Sequence, residues 1–145
     1  MQTIRMITNE MRKSITSVII ALAIVGNCAL LMWSASLQSP TCNEPGHLAA
    51  GVSNLMTGRF DLYRVNPPLV RSIAALPVVL SGPSFDWKQY SSDPFVRAEW
   101  RVGADFFAIN AGRALTLLIR ARWACIIFSL LGALICYRWT RDLYG

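Results

Sequence analysis

Residues 14–37 read SITSVIIALAIVGNCALLMWSASL, without a single Asp, Glu, Lys or Arg, and the charge-free run continues to residue 43. A helix needs about 20 apolar residues, each rising about 1.5 Å, to cross ~30 Å of hydrocarbon, so this stretch predicts a transmembrane helix over residues 15–37. A cleaved signal peptide is the rival reading, because Ser34, Ala35 and Ser36 are small residues after a basic start. Signal h-regions stop at roughly 7 to 15 apolar residues, and this one runs past that, which favours an uncleaved anchor. Asn27 is polar inside the span and is expected to face a neighbouring helix.

A second apolar block, WACIIFSLLGALICY at residues 123–137, lies near the lower spanning limit of roughly 17 residues. Trp123, Tyr137 and Trp139 flank it as interface residues do. The composition agrees: 54% hydrophobic and 15% charged residues with a mean hydropathy of +0.40 is too apolar for an ordinary water-soluble domain. The net charge of +6 is scattered along the chain instead of gathered in a stripe, which argues for anionic lipid and against nucleic acid. Cys28, Cys125 and Cys136 fall in the apolar blocks and Cys42 outside them, so no intrachain disulfide is expected and all four read as small apolar side chains.

The expected fold class is therefore an all-α membrane protein, with two transmembrane helices joined by a long extracytoplasmic loop that carries short amphipathic interfacial helices. The organisation reads as an N-terminal cytoplasmic arm at residues 1–14, a first span at 15–37 and the loop at 38–122. A second span at 123–137 and a cytoplasmic tail at 138–145 follow. Arg5, Arg12 and Lys13 outnumber Glu10 beside the first span and place the N-terminus in the cytoplasm; Arg138 and Arg141 do the same for the tail. Loops beyond roughly 60 residues cross largely regardless of charge, so the basic loop does not oppose this.

Within the loop, TCNEPGHLAAGVSNLMTG at residues 41–58 predicts a helix: Thr41 or Asn43 as cap, Glu44 and Pro45 in the first turn, and Gly58 as stop. Leu48, Val52, Leu55 and Met56 recur near the helical period. Glu44 and His47, three apart, share a face, and Gly51 is expected to leave open space beside the imidazole. Asn66-Pro67-Pro68 starts a second helix, with Asn66 as cap, that ends or kinks at Pro77; Arg71 sits on it. That helix is too short to span and is expected at the interface or packed on other helices. Residues 81–94 read as a surface loop, and one or two mixed helices lead from residue 95 into the second span.

In this order the features resemble the N-terminal part of the GT-C class of integral membrane glycosyltransferases. That group includes the protein mannosyltransferases, the lipid A aminoarabinose transferases and RgtA/B/C/D-like bacterial enzymes. The resemblance rests on the first span, on Asn43-Glu44 where the family usually has Asp-Glu, and on Gly58-Arg59-Phe60. It continues with Asn66-Pro67-Pro68-Leu69, Leu76-Pro77 and the run from Arg120 to the Leu143-Tyr144-Gly145 end. Such a resemblance implies transfer of a sugar from a polyprenyl-phosphate carrier to an acceptor at the extracytoplasmic face of the cytoplasmic membrane, with inversion.

Carried over residue by residue, Glu44 is the candidate general base, and Asn43 stands where the family more often has Asp, an amide that cannot accept the proton. His47, Arg59, Arg64 and Arg71 are the candidate substrate-binding residues, the arginines because guanidinium pairs with phosphate in a bidentate way. Desolvation near the lipid is expected to raise the pKa of Glu44. The resemblance assigns no metal ligand and no certain cofactor, and leaves a divalent cation open. It implies membrane lipid, a polyprenyl-phosphate-linked sugar donor and further transmembrane helices or a partner chain as partners, and no nucleic acid. Family members carry many more spans, so the expectation is an N-terminal part, inactive by itself. The alternative is a small two-span partner or regulator, or a lipid-binding structural protein without catalysis. On that reading Glu44 serves the helix dipole, His47 is structural and the arginines hold headgroups.

Overall fold

The computed structural model describes residues 2–145, with side chains described from residue 10 onward except at residue 13. The side chains of Arg5 and Lys13, used above for orientation, lie outside the described residues. Among the described residues there are six helices and no strand.

The first helix, α1 (Gln2–Leu37), runs without a break through the residues read as a separate arm and on through the apolar stretch. Its Glu10–Leu37 portion is long and apolar enough to cross a membrane. Val18, Leu22, Val25 and Leu30 are all more than half exposed, so this helix contributes little to the protein's own core. At the other end, α5 (Ala114–Ala124) and α6 (Ile126–Tyr144) follow one another through Cys125. Together they form the second helical stretch of sufficient length and hydropathy, Ala114–Tyr144. It is about twice as long as the block at 123–137, because the ALTLLI run ahead of Arg120 is already helical and the final RWTRDLY stays helical to Tyr144. The two apolar helices touch through Asn27, whose Nδ2 donates to Ser129 Oγ at 3.1 Å, as its polar character inside the stretch suggested. Trp123 also turns inward to α1, its Nε1 donating to the Met32 carbonyl at 3.2 Å.

Between them lies a compact group of three helices with α2 (Glu44–Thr57) in the middle, packed on α3 (Pro68–Leu80) and α4 (Ala98–Ile109). The bounds of α2 follow from its ends: Pro45 occupies the first turn, where its missing N–H costs nothing, and Gly58 at φ 67° takes the left-handed conformation that ends the helix. Asn43 is the cap residue by position but makes no side-chain cap bond. Instead the Thr41 N–H donates to Glu44 Oε2 at 2.7 Å. Leu48 and Val52 enter the core as expected, whereas Leu55 and Met56 stay 39% and 50% exposed.

Gly51 corrects the expectation of open space beside His47. A Cβ added there would clash with the Arg71 carbonyl oxygen and lie 2.9 Å from both the Arg71 carbonyl carbon and Ala75 Cβ. Gly51 is where α3 crosses α2 backbone to backbone. Gly103 does the same for α4, its added Cβ falling 2.6 Å from the Pro45 carbonyl carbon.

Two further expectations change. Pro77 does not end α3, which continues through Leu80; the Ser81 hydroxyl donates to the Pro77 carbonyl at 2.6 Å. Pro67, not Asn66, is the cap residue of α3. The segment after α3 is also less of a free loop than its composition implies. Asn110 grips Ser84 through two backbone bonds of 3.0 and 2.7 Å, and Phe85 tilts onto Phe106 at 5.3 Å between centroids. The inner faces of α2, α3, α4 and α5 close one apolar cluster around Leu48, Val52, Ala75, Val78, Phe106, Leu117 and Leu118. Burying each large aliphatic side chain of this cluster contributes about 1.5–3 kcal/mol toward holding the helices together.

Candidate functional site

The cluster leaves a cavity of about 400 Å³ on the side of α2 that faces α3 and α5. Leu48, Val70, Ala74, Leu118 and Ala121 make its wall mostly apolar, and Glu44, His47, Asn66, Arg71 and Arg122 supply the polar groups. Three of the residues singled out in the sequence, Glu44, His47 and Arg71, therefore meet here.

Glu44 and His47 reach the cavity from one face of α2, one turn apart. Arg71 comes from the first turns of α3 and is only 6% exposed. Its Nη1 donates to the Tyr63 carbonyl at 2.7 Å and its Nη2 to the Asn66 carbonyl, while Nε has no partner. The guanidinium also lies 5.0 Å from the Tyr63 ring centroid. Among the described residues it has no carboxylate within ion-pair distance, although guanidinium stays charged even when burial lowers its pKa. His47 stacks on the other part of this cluster, 4.4 Å from the Tyr63 ring at an interplanar angle of 28°. Burial first, and the nearby Arg71 charge second, hold His47 below its usual value, so it is neutral at pH 7.

The largest group that the sequence did not single out is Arg122, from the last turn of α5. Its Nε and Nη2 hold Glu44 in a two-point pair, 2.7 Å to Oε1 and 2.7 Å to Oε2. The same side chain donates to the carbonyls of Ala35 and Gln38 at 2.8 Å each and of Ser39 at 2.9 Å. Those are carbonyls at and just past the end of α1, where no helical N–H follows to bond them. One arginine thus joins α1, α2 and α5. Its place in the Arg120–Trp123 run was the available signal, but charges at a span edge read first as headgroup ligands.

The bond to Arg122 is the leading reason that Glu44 lies below the usual carboxylate value, outweighing the burial that would raise it. This reverses the expected direction: the carboxylate is partly buried, but its partner comes with it. Oε2 accepts from both Thr41 N–H and Arg122, while Oε1 accepts from Arg122 alone and keeps one lone pair free.

Asn43, Arg59 and Arg64 do not line this cavity. Asn43 is exposed just before α2. Arg59 and Arg64 gather instead around Asp61, at 3.4 and 3.8 Å, with Arg59 4.1 Å from the Tyr90 ring centroid and the Tyr90 hydroxyl bonding Asp61. That cluster ties the segment after α2 to the segment after α3, and burial and Asp61 together push Tyr90 up to about 12. Among the described residues no group of three or more His, Cys, Asp or Glu is placed to hold a metal ion. Glu44 and Asp61 are both engaged by arginine, as is the buried Glu99, whose charge acts on His47 and Arg71.

What the arrangement can do follows from its charges. A cavity with a buried cation that has no carboxylate in direct contact, a neutral imidazole, one paired carboxylate and apolar walls suits an anionic head carried on an apolar chain. No family model matches the chain, and neither does any curated protein or any solved structure.

Proposed function

We propose that the chain forms the donor side of a membrane glycosyltransferase that uses a polyprenyl-phosphate-linked sugar and acts at the extracytoplasmic face of the cytoplasmic membrane. The observation that carries this reading is Arg71: a buried, charged guanidinium without a carboxylate partner, on the wall of an apolar cavity. Two carbonyls, a ring face and the more distant Glu99 charge offset part of the burial of this guanidinium, and a ligand phosphate is the group that would complete the pairing bidentately. The two helices long and apolar enough to cross a membrane would set the cavity beside the lipid that carries such a phosphate. The reaction itself comes from the resemblance to the GT-C class.

In that reaction the acceptor hydroxyl oxygen attacks the anomeric carbon as the bond from that carbon to the phosphate oxygen breaks. The electron pair leaves with the lipid phosphate, where Arg71 stabilises it. Glu44 takes the hydroxyl proton, and the free lone pair on Oε1 is the position available for it. His47, neutral and held against Tyr63, can donate or accept one hydrogen bond at the sugar. Asn43 has neither the chemistry nor the position to replace Glu44.

A second reading is favoured by the engagement of Glu44 with Arg122: the chain binds a lipid phosphate as a partner or regulator of a larger membrane complex and does no chemistry. Two variants at the native locus separate these. Envelope glycans are profiled by mass spectrometry, and binding of dodecyl phosphate to the purified protein is followed by ³¹P NMR. Glycosyl transfer requires Arg71→Met and Glu44→Gln each to remove a sugar from the glycans, with Arg71→Met also abolishing binding. Glycans unchanged by Glu44→Gln, with binding still dependent on Arg71, establish the second reading instead. Binding unaffected by Arg71→Met sinks both.

A further inference from the structure

The geometry points to Arg122 as a shared clamp: it holds Glu44 against the end of α1, and an anionic group entering beside Arg71 draws part of its hydrogen bonding away and releases the carboxylate. The inference rests on the proposed donor-phosphate reading and adds regulation to that site. Arg122 makes its bonds with all three guanidinium nitrogens, to Glu44 and to the Ala35, Gln38 and Ser39 carbonyls. It is also part of the cavity wall, with Arg71 and Cys125. A phosphate in the cavity would therefore meet two cations, one with no carboxylate in direct contact and one shared with a carboxylate.

Competition for the shared cation is the expected result. A guanidinium has five N–H donors in a rigid fork, and Arg122 uses them on Glu44 and on three carbonyls, so a phosphate oxygen must displace one of these partners. Glu44 lines the cavity and Ala35, Gln38 and Ser39 do not, so the bonds to Glu44 are the ones beside the incoming group. Arg122 need not lose its anchor when this happens, because the carbonyls of α1 continue to hold it. The donor diester carries one charge, and the monoester that leaves, like the dodecyl phosphate probe, carries up to two, so competition with the single carboxylate grows as the sugar departs. Before the donor binds, the two bonds from Arg122 hold down the proton affinity of Glu44 although Oε1 keeps a free lone pair; after binding, loss of a bond restores basicity at that position. The base is then strongest only when a leaving phosphate is present.

The charged and titratable groups around Glu44 are few, which makes the clamp measurable. Arg122 and the Cys125 thiol face it from α5 and the α5–α6 junction, His47 from its own helix, and Arg71 from α3 across the cavity. The end of α1 contributes only carbonyls, and residue 41 one N–H. The chain has three glutamates, Glu10, Glu44 and Glu99, so ¹³Cδ-glutamate labelling gives three carboxyl resonances, and Glu44→Gln identifies one of them.

The experiment titrates the Glu44 carboxyl in the full chain in detergent micelles, with and without dodecyl phosphate, using dodecyl maltoside as the uncharged control. Binding is followed independently by ³¹P shift and by its dependence on Arg71. The expected result is a Glu44 midpoint raised by about one pH unit or more with the phosphate and unmoved by the maltoside. In Arg122→Gln the midpoint should already be high, and phosphate should add only the smaller rise from charge repulsion. Arg122→Lys, a point charge that cannot hold two partners in one plane, should fall between them and guards against misfolding of the glutamine variant. Phosphate binding through Arg71 with no movement of the Glu44 midpoint overturns the clamp and leaves the donor reading intact. A phosphate-induced rise of equal size in native protein and Arg122→Gln overturns it as well. No Arg71-dependent binding overturns both.

Discussion

Gly51→Ala places one methyl group where α3 crosses α2. From the point that the new Cβ would occupy, the Arg71 carbonyl carbon and Ala75 Cβ are each 2.9 Å away, against 3.4 Å for the start of ordinary contact, and the carbonyl oxygen is closer still. The carbon contacts alone would need a separation of about 0.5 Å, and the closer oxygen needs well over that at this crossing. Alanine improves helix propensity by about 1 kcal/mol over glycine, which acts in the opposite direction. Overpacking by one methylene costs about 1–3 kcal/mol where side chains can yield, and here the obstacle is a backbone carbonyl, so the upper end applies. The net loss is about 2 kcal/mol, or a fall in Tm of roughly 4–8 °C for a chain of this size. The same displacement moves the carbonyl of Arg71 itself, so the residue at the cavity wall shifts with it. Thermal unfolding in detergent, with Gly26→Ala as the control, measures this; a Cβ at Gly26 meets nothing within 4 Å. Gly51→Ala melting at or above the native temperature would refute the close crossing and, with it, the placement of Arg71.

Acid should destabilise the fold in two steps. His47 lies below its ordinary value of 6.5, so as pH falls through that value the unfolded chain takes up a proton that the folded state resists, and stability drops. Glu44 lies below 4.5, so the stability from its pairing is present above that value and is lost as pH falls through its lower folded pKa. Melting curves from about pH 8 to about pH 3.5 should show the upper step vanish in His47→Gln and the lower one shrink in Glu44→Gln, the remainder belonging to Asp61, which the Tyr90 hydroxyl also holds below its usual value; curves of unchanged shape refute the assignments. Asn27→Leu removes the bond to Ser129 between the two apolar helices and should cost about 0.6 kcal/mol in a membrane environment, with Ser129→Ala adding almost nothing further in a double-mutant cycle. Additive losses from the two substitutions would show that the pair does not form.

Much of this arrangement could be read from the chain because its signals are local. The charge-free run at residues 14–37, the Pro45 start and Gly58 stop of α2, and the Pro-Pro start of α3 each act within one or two turns. The pairing of Glu44 with His47 needed only helical spacing. Asn27 was legible for a different reason: a polar group in an apolar stretch must find a partner, and the partner is across in α6. What escaped depends on contacts far apart in sequence. Arg122 lies 78 positions from Glu44, and nothing near either residue announces the pair. Gly51 read as space because a missing side chain does not say whether solvent or another backbone fills its place. Pro77 read as an end or a kink, but α3 runs on past it to Leu80, with Ala75 and Val78 buried on either side. Arg59, Arg64 and Arg71 read alike as basic residues in one loop; only the turn between α2 and α3 sends the first two to Asp61 and the third inward.

That separation of the arginines is what gives the donor reading its physical content. Arg59 and Arg64 share an acid at the surface, where paired charges contribute little and need no ligand. Arg71 has given up solvent for two backbone carbonyls and a ring face, leaving Nε unpartnered, and the only carboxylate on the same cavity wall among the described residues is already held by Arg122. A fold of this size has only about 5–15 kcal/mol of stability, so a cation left this way is a large fraction of the total. Free inorganic phosphate could neutralise it, but would leave the wall of Leu48, Val70, Ala74, Leu118 and Ala121 facing water. An amphiphile satisfies both halves at once, the phosphate on Arg71 and the chain along the apolar wall. Dodecyl phosphate should therefore bind more tightly than inorganic phosphate, at about 0.8 kcal/mol for each methylene that the wall buries. Equal affinity for the two would mean that the cavity recognises an anion and not a lipid, and the carrier would have to be sought elsewhere.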